Sequence, residues 1–208
     1  VDGNIISYDS SGNPVAIATG NDGQVLTSAG VGAQPAFEDA GGGITASSVL
    51  DLTTAGNNDS FSFSPSSSAK RITMIISGLS EATGNTFKCQ LGDSGGLETN
   101  GYQDMHCKLI SGVHPSTNIT DDINAAEGTH FKFKRNHASG VMNGWAIFNL
   151  QNASTNRWNM NSFLAEDGTT NDIYIGIGSK ALSAVLTTIT FTANGTGFDA
   201  GTVSFMEE

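Results

Sequence analysis

The chain of 208 residues has few charged residues, few prolines and only two cysteines. Asp, Glu, Lys and Arg make up 14% of it, and 4 prolines stand against 26 glycines. Helix formers such as Leu, Glu, Lys and Arg are scarce, whereas Ser, Thr and Asn occur in almost every segment. This composition is typical of short β-strands joined by tight turns, in a chain long enough to bury a sizeable core.

Basic residues are the scarcest charged class. The formal net charge is -11, from 9 Lys and Arg against 20 Asp and Glu. Because phosphate contacts need clustered Lys and Arg, we expect no binding to nucleic acid or to an anionic membrane surface. The mildly basic segment 130–137, HFKFKRNH, alternates Phe131 and Phe133 with lysines, as a strand with one polar face would. No apolar run is long enough to span a membrane, and the N-terminus lacks the pattern of a signal peptide.

Cysteine and histidine are too few and too scattered for a metal site. Cys89 and Cys107 provide neither a disulfide framework nor zinc-ligand spacing. We interpret both as buried thiols, and a disulfide stays open as an alternative if their strands are neighbours. The four histidines and the pair Asp121 and Asp122 show no ligand spacing, so we predict no metal and no cofactor.

One motif resembles the active site of an enzyme. Residues 92–96, Gly-Asp-Ser-Gly-Gly, match the letters around the nucleophilic serine of trypsin-like proteases. In that family the histidine precedes the serine, yet the first histidine here is His106, after Ser94. A permuted triad that uses a later histidine stays open. Since the alternating segment 86–92 ends at this motif and glycine suits a turn, we predict a turn at Ser94.

Adjacent carboxylates offer a second route to an enzyme, a glycosidase. The pairs include Asp121 with Asp122 and Glu166 with Asp167. Adjacent acids in a strand point to opposite faces, however, and acids in loops are usually only solvated. We predict that the protein is not an enzyme.

The chain divides at the three glycines 41–43. Residues 1–43 contain short apolar pieces separated by turn signals, and residues 44–208 contain a series of alternating apolar and polar segments. Segment 70–79 is the most apolar and suits a central strand, and 152–155 and 194–197 are candidate hairpin loops. We predict an all-β protein: an antiparallel β-sandwich, jelly-roll-like, of roughly eight to ten strands, preceded by an extended N-terminal arm with short strands.

The stretch 97–129 is the least regular part of the second domain. Long loops inside compact domains are often functional, and this one carries side chains suited to glycan contacts. The candidate receptor-binding residues are Tyr102, His114, Asn118, Asp121 and Asp122. The alternative is that these are solvated loop residues and that Tyr102 covers the edge of the core. Trp145 and Trp158 lie in strand patterns and suit the core or an interface between subunits.

Two parts of the sequence resemble phage virion proteins. Residues 20–40, GNDGQVLTSAGVGAQPAFEDA, resemble a linker of bacteriophage tail fibres, in which Gly-Gln-Val-Leu-Thr-Ser precedes a glycine-rich turn, a proline and an aromatic residue. The aromatic residue is usually tryptophan, and here it is Phe37. RITMIISGLS, QLGDSGGLETNGY, STNRW, GSKALSAVLTTITFT and GFDAGTVSFMEE resemble, in this order, the C-terminal β-sandwich of tail fibres and related virion proteins.

The resemblance implies a homotrimeric virion appendage, a tail fibre or short spike. The arm, with Gln24, Val25, Leu26 and Phe37, would join the three copies and attach them to other tail or capsid proteins. The distal sandwich would bind a glycan or protein of the host surface without catalysis. Such a protein is assembled in the host cytoplasm and resides in the virion. The alternative function is a trimeric decoration or cement protein that stabilises the capsid.

Overall fold

The structure is a computed structural model. It describes the chain except residues 1–2, 40–44, 48, 53–59, 82, 84–85, 110–121, 135–139, 169–171 and 196. None of the described residues is helical, and the strands pair in antiparallel sheets, so the prediction of an all-β fold is confirmed. The chain separates into two compact units, Val1–Gly43 and Ile44–Glu208.

The first unit consists of two β-hairpins. Strand β1 (Ile5–Tyr8) pairs with β2 (Pro14–Ile17), and β3 (Gln24–Thr27) pairs with β4 (Ala36–Asp39). The Asp9 carboxylate closes the first turn by accepting hydrogen bonds from the backbone N–H groups of Ser11 and Asn13. Turn signals in the sequence thus produce the short strands predicted for the arm.

Among its described residues, the second unit contains fourteen strands in two sheets, more than the eight to ten predicted. They are β5 (Thr45–Ala46), β6 (Leu50–Asp51), β7 (Ser60–Phe63), β8 (Arg71–Glu81), β9 (Thr86–Asp93), β10 (Gly96–Leu97), β11 (Tyr102–Leu109), β12 (Asp122–Gly128), β13 (Phe131–Lys134), β14 (Val141–Asn152), β15 (Arg157–Asp167), β16 (Ile173–Ala181), β17 (Thr188–Ala193) and β18 (Phe198–Glu207).

The two sheets differ in size. The larger has nine strands in the order β12-β11-β16-β15-β14-β8-β18-β5, and β6 also pairs with β18. The smaller has five, in the order β10-β9-β17-β7, and β13 also pairs with β9. Strand β8 lies between β14 and β18, so the prediction that 70–79 forms a central strand is confirmed.

A core of aromatic and aliphatic side chains fills the space between the sheets. The expected alternation holds in β8, where Ile72, Met74 and Ile76 are buried, and in β9 for Phe87, Cys89 and Leu91. The rings of the small sheet stack on one another, for example Phe87 on Phe133 with centroids 5.2 Å apart. The period of two in the sequence therefore identifies the core face of both strands.

Three structural expectations need correction. Residues 97–129 are not one irregular loop, because β11, β12 and the last residue of β10 fall within them. Segment 194–197 is not a hairpin loop, since β17 and β18, which it joins, belong to different sheets. Cys107 is only partly buried, and both cysteines are free thiols. The expected hairpin around 152–155, by contrast, is present between β14 and β15.

Candidate functional site

Ser94 occupies a tight turn between paired strands. Asp93, the last residue of β9, pairs with Gly96, the first residue of β10, which leaves Ser94 and Gly95 as the exposed turn. Gly96 has φ +108°, a conformation that L side chains rarely adopt. The sequence Gly-Asp-Ser-Gly-Gly is therefore explained by the needs of this hairpin, as predicted.

The aspartate of the same motif has a structural role. The Asp93 carboxylate accepts hydrogen bonds from the Gly95 N–H at 2.8 Å, the Ser183 hydroxyl at 2.7 Å and the Ala184 N–H at 2.8 Å. These bonds, above all the one from Ser183, hold the pKa of Asp93 below its usual value. Asp93 thereby ties its hairpin to the segment that precedes β17.

Tyr102 lies in the core and not on a receptor-binding surface. Its side chain is 0% exposed. The Leu91 N–H donates to its hydroxyl at 2.7 Å, and the hydroxyl faces the carbonyl oxygens of Glu98 at 3.1 Å and Leu91 at 3.2 Å. Lys180 lies over its ring, 5.5 Å from the centroid. The expectation of a surface contact at Tyr102 is corrected, because β11 turns this side chain inward against β9.

The other four candidate receptor residues are not brought together by the described structure. His114, Asn118 and Asp121 lie outside the described residues. Asp122 begins β12, where its backbone is in register with His106. A receptor site in this region thus stays a prediction.

A serine, a histidine and an aspartate do meet on the inner face of the large sheet. His106 Nε2 lies 2.8 Å from Asp104 Oδ2, which also accepts the Lys132 N–H at 2.9 Å. A Cβ added to Gly176 would lie 2.5 Å from Ser162 Oγ and 3.1 Å from His106 Nδ1, so Gly176 separates the two side chains. Asp104 orients His106 as the carboxylate of a catalytic triad would.

Burial argues against catalysis by these three residues. His106 is 6% exposed and Ser162 is 5% exposed, beneath the other packed strands. A substrate carbonyl must approach a nucleophilic serine to about 3 Å, which the burial of Ser162 opposes. This group does not include Ser94, so it is not the permuted triad considered from the sequence, and its serine and histidine are buried.

Further polar pairs lie on the inner face beside this group. Lys108 Nζ lies 2.7 Å from Asp172 Oδ2, and the Tyr174 hydroxyl donates to Glu166 Oε2 at 3.0 Å. Burial, followed by the hydrogen bond to Glu166, raises the pKa of Tyr174 above its usual range. Within the described residues, no three His, Cys, Asp or Glu side chains come together to hold a metal ion.

The outer face of the large sheet carries a continuous apolar surface. Its first row runs in register across six strands and consists of Ser204, Ile75, Trp145, Phe163, Ile175 and Cys107. The second row consists of Met206, Thr73, Ile147, Asn161, Ile177 and Met105. A shorter third row consists of Asn143, Ala165, Ile173 and Leu109. We call these three rows the outer apolar face.

The centre of the outer apolar face is aromatic. Trp145 and Phe163 are partners in register, their rings stack with centroids 6.2 Å apart, and the residues are 38% and 39% exposed. Trp158, in contrast, is buried. The sequence contained one signal of this surface. In β16, Ile173, Ile175 and Ile177 alternate with Tyr174 and two glycines, so both faces are apolar, as in strands covered on both sides.

The arm residues form the second hairpin of the first unit. Leu26 pairs with Phe37, and both Val25 and Leu26 are exposed. The Gln24 side chain accepts the Asn21 N–H at 2.9 Å and so fixes the turn before β3. Phe37 is partly buried against Gly20, where no Cβ would fit. The residues of the linker motif thus build one hairpin with apolar side chains at its surface.

A shallow cleft lies at one end of the sandwich. Its walls include Ser66 and Lys70 before β8, Asn156 in the turn after β14, and Val185 before β17. Trp158 also lines it but is only 3% exposed, so the cleft offers polar groups without an open aromatic platform. It is therefore a poor match to the stacking surface that glycan binding typically uses.

None of the described residues forms a helix that could cross a membrane. A comparison with known protein families finds no family model that matches the chain, and no curated protein matches it. The fold and the surfaces described above are therefore the basis of the function proposed below.

Proposed function

We propose that the chain is a self-assembling structural protein of a bacteriophage virion, a tail fibre or short spike. Its arm joins three copies and attaches them to other virion proteins, and its β-sandwich contacts a glycan or protein of the host surface without catalysing a reaction. The observation that carries the proposal is the arm itself. It consists of two small hairpins with exposed apolar side chains, one of them formed by the segment that resembles the tail-fibre linker.

The arm needs partners for a physical reason. A two-stranded hairpin alone is marginally stable in water, since it buries little apolar surface. Ile6, Tyr8, Val25 and Leu26 are all exposed large side chains of these hairpins. Packing against two further copies would bury them, and closed cyclic symmetry is the usual way in which identical chains do so. A homotrimer therefore accounts for an arm that has little core of its own.

Two observations support a binding role over an enzymatic one. The Ser162, His106 and Asp104 group is closed to substrate, and Asp93, Glu98 and Glu166 hold structural hydrogen bonds. The net charge of -11 opposes nucleic acid as the partner. Attachment through surfaces, without chemistry, is the function that these features support best.

Imaging of the intact particle is the decisive test. We expect density for the chain at the tail, with the arm toward the virion and the sandwich outward. Copies distributed over the capsid lattice would instead establish the alternative, a trimeric decoration protein that stabilises the capsid. Absence from the particle, together with turnover of host polysaccharide by the purified chain, would overturn the proposal.

A further inference from the structure

We propose that the outer apolar face of the large sheet is a self-association surface, on which a second copy of this chain packs through the rows centred on Trp145 and Phe163. This inference rests on the proposed self-assembly and adds a second contact to the arm. It would make the sandwich itself, and not only the arm, part of the subunit interface.

Strand β16 places its large apolar side chains on the outer side of the sheet. An antiparallel sheet with one face in water normally alternates apolar side chains inward with polar ones outward. Here Ile175 and Ile177 point outward, whereas Gly176 and Gly178 point inward. The inward glycines are required by packing, because a Cβ on Gly178 would lie 2.7 Å from the Phe131 ring. No such packing constraint requires isoleucine at 175 and 177 on the outer side. Large apolar side chains at these positions suit a surface that a partner covers.

The outer apolar face is large for an exposed apolar surface. The large apolar side chains at about two fifths exposure on this face are Ile75, Met105, Leu109, Trp145, Phe163, Ile175 and Ile177. Together they leave on the order of 500 Å² of apolar area open, near the upper end for the largest patch of a monomer. The partly buried residues between them enlarge the face toward the roughly 800 Å² that each partner buries in a stable interface.

The distribution of charge on the chain indicates which partner suits the outer apolar face. The chain carries a net charge of -11, so two copies repel each other wherever their acidic surfaces meet. The three rows of the outer apolar face contain no Asp, Glu, Lys or Arg. The nearest charged residues lie at the margins. Arg71 and Glu208, 3.6 Å apart, lie one row beyond on one side, Asp167 lies beyond the other side, and Asp51 is the register partner of Thr202 at the β6 edge. Two copies can therefore meet here without bringing like charges together.

The chemistry of the face also argues against a host glycan as its occupant. Sugar hydroxyls need several hydrogen-bonding side chains around an aromatic platform. Within the three rows, the polar side chains are Thr73, Asn143, Asn161 and Ser204. Asn143 and Asn161 flank the aromatic centre, and the Asn143 oxygen already accepts the Gly78 N–H at 2.8 Å. Interfaces between identical subunits are the more apolar class, with aromatic residues at their centre. The stacked pair of Trp145 and Phe163 matches that class.

The test is sedimentation velocity of the full-length chain and its Phe163→Glu variant. A glutamate at this position places an unpaired charge in the middle of the proposed interface. We expect the variant to associate at least roughly 100-fold more weakly than the wild-type chain. The matched control is Val185→Glu, which adds the same charge at a 51% exposed valine outside the face and should sediment as the wild type.

The two native cysteines provide an independent readout. Cys107 lies on the face as the partner of Ile175, and Cys89 is buried in the core. We expect slow maleimide labelling of Cys107 in the wild type and fast labelling in Phe163→Glu. Cys89 should stay unlabelled in both, which verifies that the variant is folded.

Two results would overturn this inference. If Phe163→Glu sediments as the wild type and its Cys107 labels equally slowly, the copies associate elsewhere. The proposed appendage could then still stand on its arm and on imaging of the particle. If the wild-type chain is a monomer with a readily labelled Cys107, or if Phe163→Glu loses only attachment to cells or particles, the face serves another partner or none.

Discussion

The Asp93 carboxylate accepts a hydrogen bond from the hydroxyl of Ser183 at 2.7 Å, although the two residues are ninety positions apart in the sequence. The bond joins the turn at the end of β9 to the segment before β17, and the Ala184 N–H reinforces it. The residue that looks like part of a protease motif thus connects two distant loops of the small sheet.

We predict that Asp93→Ala lowers the free energy of unfolding by about 2 kcal/mol at pH 7, because three donors lose their acceptor. The effect should depend on pH. The folded pKa of Asp93 lies below its unfolded value, near 3.9, so its contribution is present above that value and disappears as the pH falls through the folded pKa. Urea unfolding of both chains at pH 7 and at pH 3 measures this difference.

Ser183→Ala is the control for Asp93→Ala. It removes one of the three donors and leaves the carboxylate in place, so a smaller loss, roughly 1 kcal/mol, is expected at pH 7. A stability difference between wild type and Asp93→Ala that is equal at both pH values would show that the carboxylate acts by packing and not by its charge.

The hairpin turn permits a prediction at neighbouring positions. Gly96 has φ +108°, so Gly96→Val should strain the backbone and cost on the order of 2 kcal/mol in unfolding free energy. Ser94→Ala should stay within about 0.5 kcal/mol of the wild type, because Ser94 is exposed. Ser94→Ala should also leave any binding activity intact. Loss of an activity in Ser94→Ala would restore the enzymatic hypothesis.

Much of the fold is predictable because it depends on local alternation. Strand β8 buries every second residue from Ile72 to Ile76, and β9 does so from Phe87 to Leu91, with apolar side chains at those positions, so the sequence alone identifies their core face. The turns at 94–95 and 153–156 are equally local, since they depend on glycine, asparagine and serine. Such elements need no knowledge of their partners.

Strand β11 could not be recognised in this way. It turns Asp104, His106 and Lys108 inward, at positions where the alternation in the sequence predicts apolar residues. Distant residues contact these polar groups: the Lys132 N–H donates to Asp104, and Asp172 forms an ion pair with Lys108. The same limit applies to the outer apolar face, whose rows become visible only once six strands are placed in register.

Packing around the inward glycines of β16 gives a further prediction. A Cβ on Gly178 would lie 2.6 Å from the Gln103 carbonyl oxygen and 2.7 Å from the Phe131 ring. Since the backbone oxygen cannot move aside cheaply, Gly178→Ala should cost about 1–3 kcal/mol, measured by thermal or urea unfolding. Gly128→Ala is the control, because its nearest neighbour is 3.4 Å away and the new methyl group fits. Equal stability of the two variants would contradict the packing described here.

Tyr102 provides a test that separates a structural role from a receptor contact. Tyr102→Phe removes the hydroxyl to which the buried Leu91 N–H donates, and no water can reach that donor. We expect the unfolding free energy to fall by about 1–3 kcal/mol, the usual cost of an unsatisfied buried group.

Tyr8→Phe is the control. At this exposed position of the arm, it should change stability by less than about 0.5 kcal/mol. Both variants should retain the proposed attachment to host cells. A Tyr102→Phe chain of unchanged stability that no longer adsorbs would instead place this hydroxyl in the receptor site, which its burial now opposes.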